Sequence, residues 1–367
     1  MALLALAGAF TGIGPVHNGF YQRGELHMKR QKQTPVARIV HALMNGGLLV
    51  GCLSFGPSVH AAITFQFQYA DTAGTGFLDA ANGLSRQTAL NTAASTFSSM
   101  FGSHFSNSGT IVLDATASDN AGDNTLASAG SKFTDSGGAG FNLGEVVGTK
   151  LQTGTDLNGN DADGSLDINF GNAWELDFNA SPSNTEYDFY STLFHEFTHV
   201  LGFNSTIGQS GEPIFGAQGA GSWSTFDRFI VDKNSTRIIN PANFSLNQAA
   251  WDAGSVGGAS PAGGLFFDGS NAVAANGGNP VGLYTPERWD GSSSISHLDD
   301  ENNAYAGGMM LAMSSPGPYA RDYSAVEVGM LTDLGYAVAI VPEPETYGML
   351  LAGLGMIGWI VRRRRTL

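Results

Sequence analysis

The sequence has almost no cysteine, few histidines and, away from its two ends, few basic residues. Cys52 is the only cysteine among the 367 residues. If it is removed with a signal peptide, the remaining chain has no disulfide, no cysteine ligand for zinc and no cysteine-based latency switch. Between Ala62 and Val341, eight Lys or Arg residues stand against 29 Asp or Glu residues. Such an acidic segment should repel nucleic acid and anionic membranes, which argues against a nucleic-acid-binding protein.

The first 61 residues have the pattern of an export signal. A basic stretch begins at Met28, a mostly apolar run follows, and Val59 and Ala61 match the small-residue cleavage pattern. We therefore expect translation to start at Met28 and signal peptidase to cut after Ala61. A competing interpretation is that residues 49–52, LVGC, form a lipoprotein box in which Cys52 is lipidated and retained.

The other end of the chain also has the pattern of a targeting signal. Pro342, Glu343 and Pro344 precede a 15-residue apolar run from Tyr347 to Val361, and four arginines follow. A helix of this length spans roughly 22 Å, less than the hydrocarbon core of about 30 Å, and the arginines should stay in the cytoplasm. The tail (residues 342–367) resembles the PEP-CTERM sorting signal of Gram-negative bacteria, which an exosortase processes; an ordinary C-terminal anchor is the alternative. Either way we expect the body to lie outside the cytoplasm, at the cell surface or in the extracellular matrix, with only the tail touching the membrane.

Between these signals, the sequence predicts one α+β domain over residues 62–341. Alternating residues from Ile63 and the segment 109–117 indicate strands, and Ser85 to Phe101 has helical spacing with Ser85 as its cap. Further helices are predicted from Asp188 to Leu201 and over 324–336. Residues 118–184 are rich in Gly, Ser and Asn and should be mostly loop, and residues 206–290 have a similar composition with short strand-like pieces such as FDRFIV.

The segment STLFHEFTHVLGFNS contains an H-E-x-x-H motif formed by His195, Glu196 and His199. On a helix, residues i and i+4 share a face, so both histidines can bind one metal ion, for which zinc is expected. Glu196 lies beside them, where it can accept a proton from a zinc-bound water that attacks a peptide carbonyl.

A catalytic zinc usually has three protein ligands, and the third is not adjacent to the motif. Ser205 occupies the position where many such enzymes have a third histidine, so we expect it to be a loop residue. Of the four histidines between Ala62 and Val341, His104 is expected in a solvated loop, which leaves His297. Methionines follow His297 within 13 residues, as in metzincins. The rival ligands are the downstream acids Glu212 and Asp227.

Taken together, HEFTHVLGF, SHLD, MMLAMSSPG and YSAVEVGMLTDLGYAV resemble the leishmanolysin-like metzincins, and more closely exported bacterial metalloproteases with PEP-CTERM tails. The resemblance covers about residues 62–367. It implies a zincin fold, in which a small twisted sheet and the active-site helix lie over a loop-rich lower half that ends in a helix. It also implies a methionine turn beneath the zinc at Met310, with Met313 as second choice. The missing cysteines depart from the leishmanolysin pattern.

A second cation site is suggested by DLNGNDADGSLD. Asp156, Asn158, Asn160 and Asp167 fall at positions 1, 3, 5 and 12 of an EF-hand-like loop and suggest Ca²⁺. Position 9 is a glycine and the closing residue is Asp rather than Glu. Asn, Asp and Gly are also the residues of ordinary tight turns, so a plain turn is the alternative.

The leading functional hypothesis is a secreted zinc metalloendopeptidase acting on protein or peptide substrates. Its zinc would be held by His195, His199 and His297, with Glu196 as general base. Two other classes stay open. One is a matrix or surface binding protein that retains the zincin fold without activity, and the other is a metal-dependent hydrolase whose substrate is not a peptide.

Overall fold

The computed structural model describes residues 63–336, except 106, 135–137, 216–220, 258–262, 292 and 301–304. The predicted export signal, lipoprotein box and sorting tail therefore lie outside the described residues. Within them the chain has a mixed α+β architecture with small sheets and several helices. No helix in these ranges is long and apolar enough to cross a membrane.

The strands are β1 (Ile63–Tyr69), β2 (Gly109–Ser118), β3 (Ala127–Ser131), β4 (Phe133–Thr134), β5 (Gly144–Glu145), β6 (Gly164–Asn169), β7 (Trp174–Glu175), β8 (Tyr187–Asp188), β9 (Ile230–Asp232), β10 (Leu265–Phe267) and β11 (Val281–Gly282). The α-helices are α1 (Gly83–Phe101), α2 (Val146–Thr153), α3 (Phe189–Val200), α4 (Gln248–Gly254), α5 (Ser270–Ala275) and α6 (Ala325–Asp333).

The main sheet has the strand order β1-β2-β6-β3. The strands β1, β2 and β6 run parallel, and β3 pairs antiparallel with β6 at the edge. Alternate residues of β2 and β6 are fully buried, among them Ile111, Leu113 and Leu166, because α1 and α3 pack on that face. Phe65 of β1 stacks on Phe197 of α3, with 4.5 Å between the ring centroids. This aromatic contact packs α3 against the main sheet.

Helix α3, which contains the H-E-x-x-H motif, begins at a strong N-terminal cap. The Asp188 carboxylate accepts hydrogen bonds from the backbone N–H groups of Tyr190 and Ser191 at 3.1 Å. It also accepts from Arg321 Nε, at 3.1 and 2.9 Å to its two oxygens. Arg321 comes from the segment before α6 and donates a further bond to the Phe178 carbonyl. The start of α3 is therefore tied to the C-terminal part of the domain.

Replacing Asp188 by alanine should lower the free energy of unfolding by about 3 kcal/mol. The change removes a helix cap and leaves Arg321 without its carboxylate partner, and both losses are costly when the group is buried. Urea denaturation measures the effect. The matched control is Asp119→Ala, which breaks a 3.2 Å pair with Arg86 on a largely exposed carboxylate and should cost less than about 1 kcal/mol. Equal losses in the two variants would contradict the prediction.

The region 206–290 contains short strands, as the sequence predicted, and three of them pair into a sheet. A second sheet with the order β11-β10-β9 is antiparallel throughout and follows a short 3₁₀ helix at Phe226–Phe229. Trp251 of α4 and Phe267 of β10 are fully buried. These strands have only two or three residues each, and the FDRFIV segment forms the 3₁₀ helix and the first two residues of β9.

The predicted strands and helices agree with the structure within a few residues, but the region 118–184, predicted as mostly loop, contains β3, β6 and α2. The predicted helix cap also needs a correction. Helix α1 begins at Gly83, so Ser85 lies inside its first turn and is not the cap. Asp79 instead accepts from the N–H groups of Ala81 and Asn82. At the other end of the domain, Ser324 caps α6 and Gly335 takes a left-handed φ of 105° just beyond it. Only glycine adopts that conformation without strain.

Candidate metal centre

Three histidines converge on one point beside helix α3. The Nε2 atoms of His195, His199 and His297 lie 3.0 to 3.1 Å from one another. His195 and His199 are one turn apart on α3, and His297 lies on the loop that follows β11. Within the described ranges this is the one group of three or more His, Cys, Asp or Glu side chains whose ligand atoms come within 4.8 Å. The three histidines are close enough to bind a metal ion.

Each ring is oriented by a backbone carbonyl on its other nitrogen. The Nδ1 atoms of His195, His199 and His297 lie 2.7 to 2.8 Å from the carbonyl oxygens of residues Met309, Phe203 and Ser293 respectively. A carbonyl only accepts, so each Nδ1 carries the proton and each Nε2 carries a lone pair. Three lone pairs facing one another at this distance repel unless a cation lies among them.

The spacing suits a small ion. Nitrogen ligands about 2.0–2.1 Å from a tetrahedral zinc are roughly 3.3–3.4 Å apart, close to the distances seen here. Burial lowers the pKa of His195 to about 4, and that of His297 to about 3. The pKa of His199 is also well below its usual value, because the ring is buried and lies beside the other two. All three rings are therefore neutral at pH 7, the form in which imidazole binds metal.

Without metal, the three histidines should make the protein less stable as the pH falls from about 6.5 to about 4, whereas the buried Glu196, whose pKa is raised to about 8, contributes in the opposite direction over this range. The unfolded histidines take up protons near pH 6.5, whereas the folded rings resist protonation, so below that pH the unfolded state binds more protons and is favoured. Thermal unfolding midpoints in excess chelator across this range measure the effect. The variant His297→Ala has one fewer such group and should show a shallower decline. The same pH dependence of the midpoint in both proteins would contradict the prediction.

Glu196 lies next to the trio and is only 5 % exposed. Burial raises the pKa of its carboxyl to about 8, opposed by a hydrogen bond from the backbone N–H of Ala129. Its Oε2 atom is buried and has no hydrogen-bond partner. Ala129 belongs to β3, so the carboxylate faces the edge strand of the main sheet. An orphaned buried oxygen beside three converging imidazoles suits a group that exchanges a proton with a molecule at the metal.

The loop carrying His297 is held in an unusual backbone conformation. Ile295, two residues earlier, has a φ of 70° and is fully buried. The left-handed region is unfavourable for a β-branched side chain, so surrounding contacts must enforce it. The N–H of Ile295 donates to the Tyr284 carbonyl at 2.8 Å, and the N–H of Tyr284 donates to the His297 carbonyl at 2.9 Å. The unfavourable backbone conformation therefore lies two residues before His297, the one histidine of the group that is not on α3.

Ser205 lies in a loop, as predicted, but it is buried and joins two parts of the site. Its hydroxyl donates to Asp227 at 2.7 Å, and its N–H donates to the Ser296 hydroxyl at 3.1 Å. Asp227 also accepts from the Thr206 hydroxyl and from the backbone of Ser224. The carboxylate of Asp227 thus fixes the start of the long segment that separates α3 from His297.

The rival ligands and the other sequence candidates are not part of the histidine group. Asp227 is used in the Ser205 network, and Glu212 is exposed. His104 is half-buried at the end of a 3₁₀ helix, rather than in a solvated loop. Met310 is fully buried, whereas Met313 is 66 % exposed. Of the two methionines, only Met310 suits a packing role beneath the site.

Three of the four residues proposed for calcium have side-chain partners within the protein, although the Oδ1 atom of Asn158 is buried without a hydrogen-bond partner. Asp156 accepts from two backbone N–H groups of its own turn and pairs with Lys150 at 2.9 Å, which lowers the pKa of its carboxyl. The Asn158 amide donates to two carbonyls, Asn160 is exposed, and Asp167 accepts from Thr116 across the sheet. These contacts are those of an ordinary turn held by a lysine ammonium. The calcium site stays a prediction that they do not favour.

Comparison with known proteins identifies the tail but not the body. Residues 341–365 match the family model described as the PEP-CTERM protein-sorting motif. No curated protein and no solved structure gives a significant match. The tail indicates an exported, envelope-associated protein of a Gram-negative bacterium, processed by exosortase-type machinery.

Proposed function

We propose that this chain is an exported zinc-dependent endopeptidase of the metzincin type. The observation that carries the proposal is the convergence of three Nε2 lone pairs beside a buried glutamate. Imidazole ligands suit zinc, and three of them leave a coordination position open, as in catalytic rather than structural zinc sites. A zinc ion bound there would polarise a substrate carbonyl and lower the pKa of water.

Glu196 supplies the proton transfers in this proposal. Its carboxylate is buried and has one oxygen without a hydrogen-bond partner, which suits a group that takes a proton from water at the site and then gives it to the leaving amine. The N–H of Ala129 keeps the carboxylate oriented toward the site. Because the side chain is almost entirely buried, there is little bulk water to compete for the proton.

The edge of the main sheet supports a peptide substrate. Strand β3 pairs with β6 on one side, and no other described strand pairs with its second side. An extended peptide can add to such an edge through backbone hydrogen bonds. Helix α3 packs against β3, so a peptide on this edge would run past Glu196 and the histidines.

The alternative of a non-catalytic surface protein is favoured by the low exposure of the site. Glu196, His199 and His297 are 5, 7 and 5 % exposed. A buried metal that only stabilises the fold would give the same burial. Under this alternative, the chain binds zinc and has no turnover.

Hydrolysis of a mixed peptide library by the purified chain tests the proposal. We expect cleavage that a chelator abolishes and added zinc restores. Cleavage that persists in chelator would exclude the metal mechanism. Stoichiometric zinc without cleavage would favour the non-catalytic alternative.

A further inference from the structure

One peptide group in the structure connects a metal-binding histidine to a buried carboxylate. The Met309 carbonyl accepts from His195 Nδ1 at 2.7 Å. The N–H of the same peptide group, on Met310, donates to Glu327 Oε1 at 2.7 Å. The carboxylate and the imidazole therefore lie at opposite ends of a single amide.

Glu327 is positioned by the first turn of α6. It is fully buried, and its Oε2 atom accepts from the N–H of Ser324 at 2.6 Å. The Ser324 hydroxyl accepts in return from the N–H of Glu327, completing a capping box. Burial raises the pKa of the Glu327 carboxyl, and the backbone N–H groups that donate to both of its oxygens oppose that shift by stabilising the ionised form. A glutamate in a capping box usually serves its own helix, whereas this one also holds the Met309–Met310 turn.

The same turn also supports the His297 loop. The Met310 carbonyl accepts from the N–H of Leu298 at 2.8 Å, next to His297. Glu327 therefore holds the Met309–Met310 segment, which bonds to His195 directly and to Leu298, the neighbour of His297. Its electrostatic influence should be largest at His195, because only that ring bonds to the peptide group the carboxylate touches.

His297 gives an internal comparison. Its Nδ1 donates to the Ser293 carbonyl, and the N–H of that peptide group, on Ser294, donates to the backbone carbonyl of Asp290 at 2.9 Å. A neutral carbonyl thus takes the place that the Glu327 carboxylate takes on the His195 side. An ionised acceptor polarises an amide more strongly and makes its carbonyl a better acceptor.

We propose that Glu327 is a positioning residue of the metal centre, acting on His195 through the Met309–Met310 peptide group. It holds the Met309 carbonyl against His195 Nδ1 and increases the electron-donating strength of Nε2. Carboxylates that contact metal-binding histidines directly have this effect, and here one amide intervenes. The inference rests on the proposed metal centre but not on peptidase activity.

The test compares the full chain with Glu327→Gln and Ser324→Ala. Zinc affinity is measured by chelator competition, and the Nδ1–H signals of the metal-free histidines by ¹⁵N NMR. Glu327→Gln keeps the size of the side chain and removes its charge. We expect zinc affinity to fall about tenfold, as it does when other residues that support a metal-binding histidine are removed. Ser324→Ala weakens the same helix cap without removing the carboxylate, and it should keep the affinity.

The NMR measurement separates this effect from a loss of stability. In the parent chain, the Nδ1–H proton of His195 should lie downfield of that of His297, and Glu327→Gln should shift only the His195 signal upfield. Equal Nδ1–H chemical shifts for His195 and His297 in the parent chain would overturn the positioning role alone. Unchanged zinc affinity in Glu327→Gln would do the same. A parent chain that does not bind zinc would overturn the metal centre as well.

Discussion

Replacing Glu196 by glutamine should reduce peptide hydrolysis by about 10²–10⁴-fold while leaving the zinc content unchanged. The glutamine has the same size and can still accept the hydrogen bond from the N–H of Ala129, so the local packing is kept. It cannot take up a proton from water. Because Glu196 is not among the three converging side chains, metal should remain bound.

The measurement combines kcat/KM on a cleaved peptide with metal analysis of the same sample. Glu186→Gln is the control, since Glu186 is a partly buried acid outside the histidine group whose carboxylate closes a turn at Ser183. It should keep both activity and zinc. Full activity in Glu196→Gln would remove the general base from the proposal, and loss of zinc would instead make Glu196 a ligand.

The part of the site that lies on one helix could be predicted from the sequence. The spacing of His195 and His199 places both rings on one face, and Asp188 and Gly202 mark the ends of the segment. Gly202 has a φ of 90°, and a Cβ there would approach the Glu145 carboxylate to 2.5 Å. Local geometry alone determines these features, so a local pattern is enough to find them.

The groups that orient the rings could not be predicted in the same way. Two of the three acceptors for Nδ1, at Met309 and Ser293, are backbone carbonyls far from α3 in the sequence. Every residue has a carbonyl, so residue type carries no signal for this role. The left-handed φ of Ile295 is equally invisible, because its residue type argues against it.

For two buried acids, the sequence predicts only part of their role. Glu327 follows Ser324 by three residues, a capping-box pattern that marks a helix start but does not reveal its bond to Met310. The sequence suggests Asp227 as a rival metal ligand, but in the structure its carboxylate accepts hydrogen bonds from the hydroxyls of Ser205 and Thr206. Tertiary contacts decide which partner a buried carboxylate takes, and these depend on residues distant in the sequence.

Replacing His297 by alanine should weaken zinc binding by more than about 100-fold. That factor is the upper limit for removing a residue that only supports a metal ligand. The loss is larger because one of only three protein ligands disappears. The variant should still fold, since His195 and His199 keep their positions on α3 and the Asp227 network stays intact. Activity should fall with the metal at ordinary zinc concentrations.

The matched control is His104→Ala, which removes the one other histidine between Ala62 and Val341. His104 is not in the converging group, so this variant should bind zinc as tightly as the parent chain. A second variant, Glu212→Gln, tests the exposed rival acid and should also keep zinc. Unchanged zinc affinity in His297→Ala would mean that another group completes the site, and loss of zinc in Glu212→Gln would identify that group. Tight binding in both controls, with loss only in His297→Ala, would assign the third ligand to the loop after β11. The long segment between α3 and His297, held at its base by Ser205 and Asp227, would then be an insertion between two ligands of one metal.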